Sequence, residues 1–188
     1  MGLANWLTVL RIVLIPVFVT LLVYDQAGAA LLVFLAAAVT DSLDGWVARR
    51  AGSQSRLGAF LDPTADKLMV SASFVTLTYL AVLPFWITAV VISRDVILVV
   101  GAVAIHMAGA RVHPRPTRTG KYATFLQFVR VLTALAVPYL PVPGVLSVVT
   151  WLAAAFTLAS GMQYIVQGVG FLNAAQAAER QDEAPLLR

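Results

Sequence analysis

The chain of 188 residues contains no cysteine, which excludes a disulfide framework and any cysteine-ligated zinc site. Charge is scarce. Asp, Glu, Lys and Arg make up 12% of the residues, where a soluble domain carries about 25%. So few charges cannot cover a soluble surface, and 60% hydrophobic residues with a mean hydropathy of +0.87 indicate one integral membrane domain. Only two histidines occur, His106 and His113, neither with a ligand partner at useful spacing. Internal repeats, low-complexity stretches and a Pro/Gly/Ser-rich linker are all missing. A basic leader with a small-residue cleavage site is also missing, so the N-terminal stretch is read as a first span. The small net charge of +4 gives no indication of a nucleic-acid partner.

Six apolar segments are each long enough to cross a bilayer, which takes about 20 residues. They run from about Trp6 to Tyr24, Ala29 to Ala48, Gly58 to Val82, Phe85 to Ala108, Thr119 to Val137 and Val145 to Val169. None shows the alternating polarity of a barrel strand, and a lipid-embedded backbone must satisfy its own hydrogen bonds, so helices are predicted. The expected fold is an all-α integral membrane bundle of six transmembrane helices with a polar cavity near the cytoplasmic face. Residues 1–171 would form the membrane domain and 172–188 a short tail, a helix fraying into disorder, with Gly168 and Gly170 ending the last span.

The loops predict the orientation. Arg49, Arg50 and Arg56 lie between segments two and three, and Arg111, Arg115, Arg118 and Lys121 between four and five. The connections around Pro84 and around 138–144 carry no charge, and the first holds only Asp25. The positive-inside rule then puts both termini and both basic loops in the cytoplasm. With no organelle import signal, the expected site is a bacterial cytoplasmic membrane. Trp6, Trp46, Trp86 and Trp151 stand near segment ends, as interfacial anchors do.

Against this apolar background, Asp41, Asp44, Asp62 and Asp66 fall within 26 residues. Asp44 lies five residues before Arg49, which in a helix is about 7 Å, and Asp41 is one turn deeper. Asp62 lies six residues after Arg56, and Asp66 is one turn deeper. Two antiparallel helices would thus bring four carboxylates to one shallow depth, each pair sharing a helix face by i, i+3 or i, i+4 spacing. A carboxylate within a span costs on the order of 3 kcal/mol, so four are not there for packing. Divalent metal or protons would neutralise them. Oxygen-only donors favour Mg²⁺, Mn²⁺ or Ca²⁺ over zinc or copper. Gly45, Ala48 and Gly58 on the same faces allow close helix approach, or room for a flat ligand. Arg49, Arg50 and Arg56 at the rim, with Lys67 nearby, supply phosphate-binding charge. Acids for metal beside cations for phosphate are the parts of a phosphoryl-type transfer.

The eight positions Asp41, Asp44, Gly45, Ala48, Arg49, Gly58, Asp62 and Asp66 resemble, in residue type and spacing, the signature of the CDP-alcohol phosphotransferase family. Asn5, Thr8 and Arg11 resemble the Asn-x2-Thr-x2-Arg opening of several lipid-synthesising members. The resemblance covers residues 4 to 170. It implies transfer of the phosphatidyl group of CDP-diacylglycerol to an alcohol, with release of CMP. It also implies that Asp41, Asp44, Asp62 and Asp66 hold two divalent cations, Mg²⁺ or Mn²⁺, that clamp the diphosphate. Asp41, Gly45, Ala48, Arg49, Gly58 and Asp62 would line the nucleotide, and Asp66 would be the base for the acceptor hydroxyl. A homodimer is implied as well.

The acceptor is sought downstream. Val75 to Ala102, including Ser93-Arg94-Asp95-Val96, resembles the CMP-forming cardiolipin synthases. Relatives that use glycerol 3-phosphate usually carry Arg-Glu in the fourth span, an arginine eight residues later, and Gly-Lys-x-Lys-Thr opening the fifth. Here those positions are Arg94-Asp95, Ala102 and Gly120-Lys121-Tyr122-Ala123-Thr124. Two cations suited to a dianionic acceptor are absent, which favours phosphatidylglycerol as acceptor and cardiolipin as product, with phosphatidylglycerophosphate synthesis as the alternative. Thr8, Arg11, Arg50, Arg56, Arg94, Arg118 and Lys121 are the candidate phosphate or acceptor contacts. Arg94 and Asp95 also fit a purely structural charge pair. Arg111, Arg115, Arg118 and Lys121 also fit a topology determinant facing anionic lipid. An ion-coupled transporter is the remote competing reading of the acids.

Overall fold

A computed structural model describes the backbone of residues 3–51, 56–107, 117–140 and 143–183, and the side chains of residues 9–40, 67–103, 117–140 and 144–170. The described residues are all helix or short connection, with no strand among them. The helices are α1 (Leu3–Val23), α2 (Ala27–Ala51), α3 (Arg56–Tyr79), α4 (Phe85–Met107), α5 (Arg118–Ala136) and α6 (Pro143–Glu183). All six lie on the six apolar segments. α1 packs against both α2 and α3.

The helix ends have local causes. α1 closes with Asp25 in the left-handed region (φ 59°), its N–H donating to Leu22 O at 3.0 Å and that of Gln26 to Leu21 O at 2.8 Å. α3 closes the same way at Ala81 (φ 58°), with Ala81 N–H to Thr78 O at 3.0 Å and Val82 N–H to Leu77 O at 2.9 Å. This paired 6→1 and 5→2 pattern satisfies carbonyls that the helix itself leaves open. α5 begins on Thr117, whose Oγ1 accepts the Gly120 N–H at 3.1 Å, an N-cap bond to the third helical position.

α6 corrects the reading of the C-terminal segment. Gly168 and Gly170 do not end it; the helix runs on to Glu183. Each interior glycine costs about 1 kcal/mol relative to alanine. The following Asn-Ala-Ala-Gln-Ala-Ala-Glu-Arg-Gln run is rich in strong helix formers, which offset that cost.

Among the described residues, two stretches are long and apolar enough to cross a membrane, Phe85–Val103 and Gly144–Gly170. Only 22% and 33% of their respective apolar windows are buried, whereas the core helix of a soluble protein is mostly buried. Val96, Val99, Val100 and Val103 on α4, and Trp151, Leu158, Met162 and Val166 on α6, are exposed. Contiguous apolar surface of this kind belongs against lipid or a partner, not water. Shorter apolar stretches occupy Val9–Val23 and Ala27–Thr40.

The chain divides into two compact units, Met1–Thr88 with Gln127–Val149, and Ala89–Leu126 with Thr150–Arg188. The first is built on large side chains. Phe18, Phe34 and Phe74 are buried, with Phe34 5.7 Å from Phe18 and stacked on Phe128 at 4.8 Å between centroids. Thr78 and Thr88 share a 2.6 Å hydroxyl contact that joins α3 to the start of α4. In the second unit the buried residues are mostly small or polar: Ala123, Ala153, Ala154, Thr157, Ser160 and Arg94.

Candidate active site

The acid positions lie on continuous helix. α2 is helical through Asp41 and Asp44, and α3 through Asp62 and Asp66. Each pair therefore stands on one helix face at i, i+3 or i, i+4 register. The side chains of these four acids, and of Gly45, Ala48, Arg49, Arg50, Arg56, Gly58 and Thr8, lie outside the described residues. Lys67, the next residue after Asp66, is half-buried.

Arg11 is within the described residues. It stands on α1 and is 1% exposed. With Phe34, Ala37 and Ala38 of α2, Met69 and Val70 of α3, and Phe128 of α5, it lines a small cavity in the first unit.

In the second unit, Arg94 is buried and its Nη1 donates to Asp95 Oδ1 at 2.8 Å. Its Nη2 reaches Ser160 Oγ on α6 at 3.3 Å. Gly120, the third residue of α5, sits hard against this group. A Cβ there would stand 3.0 Å from Thr117 Oγ1 and 3.4 Å from both Arg94 Nη2 and Ser160 Oγ. Thr119 donates to Gln163, joining the start of α5 to α6. Arg118 and Lys121, the other two cations expected here, are both exposed. Arg94 is thus matched to an internal anion, whereas Arg118 and Lys121 present free surface. Of the two positions whose residue types are read as favouring phosphatidylglycerol, Ala123 is fully buried and Ala102 is exposed.

Among the buried polar residues that escaped the sequence reading, two are large. Gln127 and Arg130 of α5 are 2% and 1% exposed. They are one helix turn apart inside a run otherwise taken as a plain span. An arginine at the centre of a span costs on the order of 3 kcal/mol, and that alone could have flagged Arg130.

Residues 1–159 match the sequence profile of the family described as CDP-alcohol phosphatidyltransferase. The chain belongs to the CDP-alcohol phosphatidyltransferase family. It is accordingly a transferase that takes a CDP-alcohol donor and an alcohol acceptor. It is 35% identical over 179 residues to a probable phosphatidylglycerophosphate synthase of Mycobacterium tuberculosis, covering 89% of this chain and 82% of that one. It is 33% identical over 184 residues to the CDP-diacylglycerol–glycerol-3-phosphate 3-phosphatidyltransferase of Bacillus subtilis, covering 87% and 93%. It is 41% identical over 119 residues to the human CMP-forming cardiolipin synthase, covering 63% of this chain and 38% of that one. The bacterial relatives, with the two apolar spans of α4 and α6, mark a membrane protein. The relatives divide between two acceptors.

Proposed function

We propose that this phosphatidyltransferase moves the phosphatidyl group of CDP-diacylglycerol to phosphatidylglycerol, forming cardiolipin and CMP. Asp41, Asp44, Asp62 and Asp66 are the proposed ligands of two divalent cations, Mg²⁺ or Mn²⁺. The donor set fits such ions: two carboxylate pairs, each on one face of an unbroken helix, with no nitrogen or sulfur donor. When bound, the ions supply the positive charge that offsets the diphosphate and the departing CMP.

The chain's own residues do the rest. Gly45, Ala48 and Gly58 leave space for the nucleotide beside the helix backbone, and Arg49 meets its phosphate. Asp66 accepts the proton of the acceptor hydroxyl. The acceptor oxygen forms a new bond to the phosphorus that bears diacylglycerol, and the bond from that phosphorus to the CMP oxygen breaks. Arg50 and Arg56 add cationic charge at the rim. The six helices are proposed as six spans with both termini cytoplasmic, supported by the strict alternation of basic loops with loops that carry no Lys or Arg.

The preference for phosphatidylglycerol rests on the neutralised Arg94. Its guanidinium is matched to Asp95, and Ala102 and Ala123 stand where two further cations would help a dianionic acceptor. The relatives favour a second reading. The Mycobacterium tuberculosis and Bacillus subtilis relatives, matched over 82% and 93% of their length, are named a probable phosphatidylglycerophosphate synthase and a glycerol-3-phosphate 3-phosphatidyltransferase, and exposed Arg118 and Lys121 would serve glycerol 3-phosphate as acceptor. An acceptor panel separates the two. The purified protein, with CDP-diacylglycerol and Mn²⁺, is given phosphatidylglycerol or glycerol 3-phosphate, and the product is identified by mass. Cardiolipin is the expected product; phosphatidylglycerophosphate alone would overturn the preference.

A further inference from the structure

The cavity in the first unit stands in close register with the acids. Ala37 and Ala38 lie four and three residues before Asp41 on α2. Met69 and Val70 lie three and four residues after Asp66 on α3. Residues at these separations are neighbours on one helix face. The cavity therefore lies one turn, about 5 Å, along both helices from the deeper acid of each pair. α1, which packs against α2 and α3 alike, contributes Arg11 to it. The other lining residues are apolar: Phe34, Ala37, Ala38, Met69, Val70 and Phe128.

A guanidinium stays protonated at any relevant pH, so a buried arginine is a permanent charge that needs an anion. Four carboxylates gathered in the proposed metal site need the opposite. Two divalent cations satisfy them when the site is loaded. Between loadings the acids repel one another unless they take up protons or a cation belonging to the protein stands near.

We propose that Arg11 is a positioning residue, a resident counter-ion at the floor of the acid cluster that holds Asp41 and Asp66 in place when no metal is bound. This rests on reading the four acids as one site. It gives Arg11 a role in assembling the empty site, in place of a contact to substrate phosphate.

The test is thermal unfolding of the full-length protein in detergent after chelation, run as double-mutant cycles. Arg11→Gln is expected to lower the metal-free Tm by on the order of 5 °C, while Arg11→Lys keeps most of the wild-type value. Adding Asp41→Asn or Asp66→Asn to Arg11→Gln is expected to cost less than the sum of the single effects, because the carboxylate that needed the cation is gone. Saturating Mn²⁺ is expected to narrow the gap between wild type and Arg11→Gln to less than half. A purely packing role would lower Tm equally with and without metal. Additive losses in both cycles, an Arg11→Lys as damaged as Arg11→Gln, or, where Mn²⁺ raises the wild-type Tm, a gap unmoved by Mn²⁺ would each overturn the proposal. So would an Arg11→Gln protein of unchanged metal-free Tm whose KM for CDP-diacylglycerol rises, since that assigns Arg11 to the substrate phosphate. If Arg11→Gln alone does not fold, recovery of folding when Asp41→Asn or Asp66→Asn is added supports the proposal, and no recovery with either overturns it. A wild type whose Tm ignores Mn²⁺ counts against the metal reading of the acids, and the metal-free cycles still decide the role of Arg11.

Discussion

Arg11 and Arg94 are buried to a similar degree, yet they sit in different chemical settings. Arg94 has its anion beside it in sequence, Asp95, in a unit whose buried residues are mostly small or polar. Arg11 lines a cavity with phenylalanine, alanine, methionine and valine, and Ala37, Ala38, Met69 and Val70 of that lining lie one helix turn from Asp41 or Asp66 along α2 and α3. The second unit neutralises its charge locally, with side chains alone. The first has a charge balance that, on our reading, changes each time the site is loaded and emptied. On this reading Arg94 belongs to the scaffold, and Arg11 to the site whose charge changes with its load.

The largest effect that separates the two is on turnover. Asp66→Asn is expected to lower the rate of CMP release by about 10²–10⁴-fold, the usual range for a lost general base, with the fold retained. Activity within tenfold of wild type would remove Asp66 as the base and weaken the claim that the first unit holds the chemistry. Asp95→Asn comes next. It leaves Arg94 buried without its anion and is expected to cost about 3 kcal/mol of stability. That loss should be the same with and without Mn²⁺, measured by thermal unfolding. A loss that Mn²⁺ abolishes would mean that the second unit also responds to metal, and the contrast would fail.

Smaller effects test the packing. Gly120→Ala puts a methyl group 3.0 Å from Thr117 Oγ1 and 3.4 Å from Arg94 Nη2 and Ser160 Oγ. Overpacking of this kind costs about 1–3 kcal/mol, and a neutral result would show that the Arg94 group can move aside. The smallest effect is a gain. Ala81 holds a left-handed conformation that costs a non-glycine residue about 1 kcal/mol. Ala81→Gly is therefore expected to raise stability by about that amount in the first unit without altering turnover.

Much of this was legible in the residues. Long apolar runs report helices because lipid leaves the backbone no other local solution, and each of the six segments carries one. The Asp41 to Asp66 pattern reports the family because both the spacing and the residue types are constrained. What escaped depends on neighbours. Gln127 and Arg130 were hidden inside a segment read as a plain span, and only tertiary packing shows them buried. Gly168 and Gly170 read locally as a helix end, but strong helix formers beyond them carry α6 to Glu183. The alignment of the Arg11 cavity with Asp41 and Asp66 needed α1 to be seen against α2 and α3 together, which no single helix encodes.

The most direct test of the account is CMP release from CDP-diacylglycerol by the purified protein in lipid, with phosphatidylglycerol and glycerol 3-phosphate supplied in turn. Wild type is expected to release CMP only when acceptor and Mn²⁺ or Mg²⁺ are both present, to stop when the metal is chelated, and to lose the activity in Asp66→Asn. Release that continues undiminished after chelation, or no release with either acceptor from an intact preparation, would contradict it.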